Sequence, residues 1–81
     1  MGWGMIRFRL KELLADKSFR ESRRITYEEV SKETGINRTS LSKIANQKTY
    51  NTTTDNLDRL CAYFECDIGD LAEYIPDTYK E

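Results

Sequence analysis

The chain has 81 residues, 38% apolar and 33% charged, with a formal net charge of −1, enough for one small folded unit with a single core and with no apolar run suited to crossing a membrane. It contains no histidine, so acid–base chemistry near neutral pH would need a strongly perturbed Glu, Asp, Lys or Cys, and so small an interior offers few places to perturb one; this argues against an enzyme. Cys61 and Cys66 have neither the spacing of a redox pair nor a histidine to complete a zinc site, so they are expected to be buried thiols, with no metal and no cofactor.

In chain order, Met1 to Met5 is too short for a secretory signal and is followed by Arg7 and Arg9, so a cytoplasmic location is expected. Ile6, Leu10, Leu13 and Leu14 fall on one stripe of a first helix, although Ile6, Phe8 and Leu10 also alternate as a strand would. Ser18 to Ile25 breaks the helical pattern and reads as a loop containing Arg20, Arg23 and Arg24. Thr26 and Glu29 have the spacing of a capping box, which starts a second helix at Tyr27, and Gly35 ends it. Asn37 is a good N-cap for a third helix, in which Leu41, Ile44 and Ala45 repeat until Asn46.

After an aperiodic stretch from Gln47 to Thr52, Thr53 caps a fourth helix with Leu57, Leu60, Cys61 and Phe64 on one face. Asp67 and Asp70 mark the start of a fifth helix that carries Leu71, Ala72, Tyr74 and Ile75 up to Pro76. The expectation is an all-α, compact five-helix bundle forming a single domain over residues 1–81.

Charge is unevenly distributed along this bundle. Residues 6–24 hold seven basic and three acidic groups, residues 35–54 hold Arg38, Lys43 and Lys48 with no acid, and residues 55–81 hold eight acids against Arg59 and Lys80. A basic face opposed by an acidic back suits a polyanion partner better than the net charge suggests.

The second and third helices are separated by about three residues including Gly35, too few for an antiparallel pair, so they should cross at a wide angle. Val30, Ile36, Leu41 and Ile44 can form the core of this unit, with the compact Ser31 where the helices approach. The unit, Tyr27 to Asn46, has the spacing of a helix-turn-helix. That geometry exposes the second of its two helices, the third of the chain.

With these features the sequence resembles the Cro/C1-repressor-type (XRE) helix-turn-helix family, over roughly residues 6–76. Beyond the unit itself, the resemblance rests on Arg9-Leu10-Lys11-Glu12-Leu13-Leu14, Thr26-Tyr27-Glu28-Glu29-Val30, Leu57-Asp58-Arg59-Leu60-Cys61 and Cys66-Asp67-Ile68-Gly69-Asp70-Leu71. It implies a five-helix domain of the phage-repressor DNA-binding type, usually a dimer on an inverted repeat. Tyr27 stands where the family often has Gln, and Gln47 where it often has Gly.

On the third helix, Arg38, Thr39, Ser42 and Lys43 are the candidates for contacts to bases; the Arg38 fork matches guanine and the Thr39 methyl matches thymine. Tyr27, Asn46, Gln47, Lys48 and Thr49 are the candidates for contacts to phosphate. Arg20, Arg23 and Arg24 either add a grip on the DNA backbone or are simply solvated. Tyr63, Tyr74, Ile75 and Tyr79 either anchor a second subunit or complete the core. The expected partners are double-stranded DNA and a second copy of the chain, with no membrane and no small-molecule ligand. The expected function is transcriptional regulation, and the alternatives are a protein-interaction adaptor or an antitoxin built on the same fold.

Overall fold

A computed structural model of the protein describes residues 4–46 and 51–76. Its elements run β1 (Met5–Phe8), α1 (Leu10–Glu21), α2 (Tyr27–Thr34), α3 (Arg38–Asn46), α4 (Thr54–Phe64), α5 (Ile68–Leu71) and β2 (Ala72–Ile75). The five helices occur in the expected order, but the fold is helix-rich rather than all-α. β1 and β2 pair antiparallel, with Met5 opposite Ile75, Ile6 opposite Tyr74, Arg7 opposite Glu73 and Phe8 opposite Ala72.

The alternation of Ile6, Phe8 and Leu10 is thus resolved in favour of a strand, and the first helix begins only at Leu10. Arg7 donates to Glu73 across the ribbon at 3.0 Å and to Glu12 at 2.9 Å, and the Arg9 N–H donates to the Leu71 carbonyl at 2.7 Å. Gly4 lies against the end of β2: a methyl group in its place would overlap the Ile75 carbonyl and come within 2.7 Å of the Tyr74 hydroxyl. The fifth helix is correspondingly shorter than expected, because the chain turns extended at Ala72 to pair with β1.

α1 also corrects the expected loop, since Ser18 to Glu21 continue the helix and the turn occupies only the residues from Ser22 on. Ion pairs one turn apart support this polar segment, Lys17 with Glu21 at 2.8 Å and Arg20 with Asp16 at 3.2 Å. Ser22 then takes a left-handed conformation, with bonds from Arg23 N–H to Ser18 O and from Ser22 N–H to Phe19 O, a Schellman closure.

The core comprises Leu10, Ile25, Val30, Ile36, Leu41, Ile44, Leu60, Phe64 and Leu71. It includes all four apolar residues expected to hold the helix-turn-helix together. Ile25, which precedes the α2 cap, is buried with Val30 as a hydrophobic staple would be, and its N–H is taken by Ser18 Oγ at 3.1 Å. Tyr63 lies half-buried at the rim, edge-on to Phe64 with centroids 5.0 Å apart and with the Lys17 ammonium 4.9 Å from its ring.

The two cysteines are half-buried rather than fully buried. They sit at the first and last positions of a second Schellman closure, in which Cys66 N–H donates to Cys61 O at 3.0 Å. Burial, with the neighbouring Cys61 thiol and the carboxylates of Asp70 and Asp67, pushes the Cys66 thiol up to about 11. Since the thiolate is the nucleophile, alkylation of Cys66 at pH 8 should be much slower in the folded protein than in the denatured chain. Equal labelling rates in the two states would contradict this placement.

Candidate nucleic-acid interface

Two helix starts and one turn build the site. Thr26 Oγ1 accepts the Glu29 N–H at 3.2 Å, which caps α2 as expected. The reciprocal half of the capping box is replaced: Glu29 Oε1 and Oε2 accept from the Arg23 fork at 2.8 and 2.6 Å instead of reaching back to the cap. Arg23 holds the Glu29 carboxyl below the usual carboxylate range. Arg20 is paired with Asp16 and Arg23 with Glu21 and Glu29, so most of the arginine-rich segment is spent on neighbouring acids.

The turn depends on Gly35, whose φ of 78° lies in the left-handed region and whose N–H donates to Ser31 O at 2.8 Å. Thr34 braces it, donating to Val30 O at 2.7 Å and accepting from the Ile36 N–H at 3.2 Å. From α4, Arg59 Nη1 donates to the Thr34 carbonyl at 3.2 Å. A Cβ at position 35 would lie 3.2 Å from that nitrogen. Gly35→Ala should therefore cost about 1–2 kcal/mol from the left-handed backbone alone, read as a lower melting temperature; an unchanged melting temperature would contradict the turn geometry. Ser31, expected at the helix approach, is half-buried.

Asn37 caps α3, its Oδ1 accepting the Thr39 N–H at 2.7 Å and its carbonyl the Leu41 N–H at 3.0 Å. With Leu41 and Ile44 turned into the core, the opposite face carries Arg38, Thr39, Lys43 and Asn46 exposed and Ser42 half-buried. These five positions are one or three residues apart in succession, so they share one side of the helix. The four residues expected to contact bases therefore lie together. Tyr27 sits half-buried beside them: Thr26, Tyr27, Glu28, Arg38, Thr39, Ser42 and Lys43 line one open groove of about 600 Å³ between α2 and α3.

Among the residues expected at phosphates, Asn46 is folded back, its Nδ2 donating to Ser42 O at 2.9 Å and lying 3.4 Å from Ser42 Oγ. Its side chain thus bonds within its own helix while remaining exposed. Gln47, Lys48 and Thr49 lie outside the described residues. Glu28 was not anticipated by sequence reasoning, yet its Oε1 lies 3.9 Å from Arg38 Nη1 inside the groove. Its place in the first turn of α2 is the local signal that puts it next to Tyr27.

Of the aromatic residues considered for a second subunit, Tyr63 belongs to the rim of the core, Tyr74 is 61% exposed opposite the 47% exposed Ile6, and Tyr79 lies outside the described residues. Among the described residues, no helix is long and apolar enough to cross a membrane.

The family model described as the Cro/C1-type HTH DNA-binding domain matches residues 9–77 of this chain. Among solved structures, the crystal structure of the transcriptional regulator VanUg, Form II, is similar with a TM-score of 0.69 and 22% identity, over 95% of this chain and 92% of that one. At that identity the likeness is one of fold. No curated protein matches the chain.

Proposed function

Because the chain belongs to the Cro/C1-type helix-turn-helix DNA-binding family, we propose that it is a sequence-specific transcriptional regulator, a homodimer that lays α3 in the major groove of an inverted repeat. The observation that carries this reading is the outward face of α3, which groups Arg38, Thr39, Ser42 and Lys43 on a helix without an acidic residue. The major groove admits one helix, and these side chains supply what base edges demand. The Arg38 fork donates in pairs to guanine O6 and N7, Lys43 donates to the same acceptors, and Thr39 and Ser42 offer hydroxyls, Thr39 a methyl as well.

Phosphates on either side are taken by the Tyr27 hydroxyl at the α2 start and by Gln47, Lys48 and Thr49 after α3. These contacts set register and carry no sequence information. A domain of this size reads only a few base pairs, so discrimination comes from two copies on two half-sites, with the exposed Ile6 and Tyr74 pair on the ribbon available to the second subunit.

Selection from random duplexes with the purified chain should enrich an inverted repeat. Footprinting of that repeat should protect two half-sites about 34 Å apart. Protection of one asymmetric half-site at saturating protein would contradict the dimer, and no enrichment at all would contradict the regulator.

A further inference from the structure

The groove between α2 and α3 contains a group that a DNA-binding face would ordinarily avoid. Of its described lining residues, Thr26, Tyr27, Arg38, Thr39, Ser42 and Lys43 are neutral or basic, and Glu28 is acidic. The adjacent acid, Glu29, is turned away onto Arg23, so the placement of Glu28 is its own. Its carboxylate lies 3.9 Å from the Arg38 guanidinium, with the two side chains 74% and 66% exposed. A pair this long and this wet adds little to folding. Its consequences belong to the moment when a duplex displaces water from the groove and both charges are felt more strongly.

We propose that Glu28 is a specificity-determining residue of this groove: it steers the Arg38 fork toward a base edge and disfavours complexes held by phosphate contacts alone. This rests on the DNA-reading function above. A guanidinium has five N–H donors, so Arg38 can give two to guanine O6 and N7 and still face Glu28 with the others. Where no guanine is present and Arg38 turns to a phosphate, Glu28 and the phosphate compete for one cation and repel each other. The carboxylate thus weakens binding to every duplex but weakens it least where Arg38 finds its base. Nothing in the local sequence announces this, because it depends on how α2 and α3 cross.

The test measures binding of wild type, Glu28→Gln, Glu28→Asp, Arg38→Ala and the Glu28→Gln/Arg38→Ala double variant. Each is titrated by fluorescence anisotropy onto the selected duplex, the same duplex with the guanine opposite Arg38 replaced, and a random duplex. Glu28→Gln should tighten the random duplex roughly three- to tenfold while changing the selected one less than about twofold, so that the preference falls. In the Arg38→Ala background the same change should move all three duplexes by one common factor. Glu28→Asp keeps the charge but is one methylene shorter, so random binding should stay weak while preference at the Arg38 base pair drops.

If Glu28→Gln shifts selected and random duplexes by the same factor in the presence of Arg38, or if Glu28→Asp keeps the full wild-type preference, the inference is overturned and the DNA reading stands. A wild-type protein without any preference among duplexes overturns both.

Discussion

Arg38→Ala is expected to weaken binding to the selected duplex by about 1–3 kcal/mol and to flatten the preference at a single base pair. The expectation follows from position. Arg38 is the first residue of α3, it is exposed, and it lines the groove with Tyr27 and Thr39. A bidentate contact from such a residue carries sequence information, so its loss should appear in the specificity profile as well as in affinity.

Lys48 provides the contrast. As a phosphate contact, its replacement by alanine should weaken all duplexes alike and reduce the salt slope by about one unit. Titrations of both variants on one duplex set over a range of salt separate the two behaviours. An Arg38→Ala protein that loses affinity equally for every sequence would place Arg38 at a phosphate instead.

Leu41→Ala should have the largest effect on stability. Leu41 is fully buried, at 0% exposure, on the inner face of the same helix that presents Arg38 and Thr39 to solvent. Truncating a buried leucine costs about 2–5 kcal/mol through lost transfer energy and the cavity left behind. That is a large part of the roughly 5–15 kcal/mol that holds a small domain folded. Each kcal/mol corresponds to roughly 4–8 °C in Tm for a domain of this size, so thermal unfolding followed by circular dichroism reads the effect directly. A loss below about 1 kcal/mol would show that α3 is not seated on the core as described. Because the reading face is held in place by this burial, DNA binding should weaken with the folded fraction, and the base preference of the remaining folded protein should be unchanged.

The helix-turn-helix was legible in the sequence because its signals are local. Thr26, Gly35 and Asn37 each act on the backbone within a few residues, and Val30, Ile36, Leu41 and Ile44 recur at helical spacing and are all buried. The terminal ribbon was not legible, because its pairing joins Met5–Phe8 to Ala72–Ile75 at the other end of the chain. Leu71 and Ile75, four apart, satisfy a helical period even though the chain is extended between them. The last turn of α1 was missed for the opposite reason: ion pairs sustain it, and its Phe19 is 84% exposed, so no apolar stripe marks it.

The site divides in the same way. The exposed face of α3 is the complement of its apolar stripe and could be read from spacing. The exchange of partners at Glu29, the folded-back Asn46 and the approach of Glu28 to Arg38 depend on three-dimensional neighbours or rotamers.

The central claim is that α3 and the start of α2 are the surface that meets DNA. The most direct measurement is a titration of the isotopically labelled protein with the selected duplex, followed by backbone amide NMR shifts. The account predicts that the largest changes fall at Tyr27, Arg38, Thr39, Ser42 and Lys43 and that the acidic surface of Asp58, Asp67 and Asp70 stays unchanged. Shifts centred on that acidic surface, or none along α3, would contradict it and favour a protein-docking role for the fold.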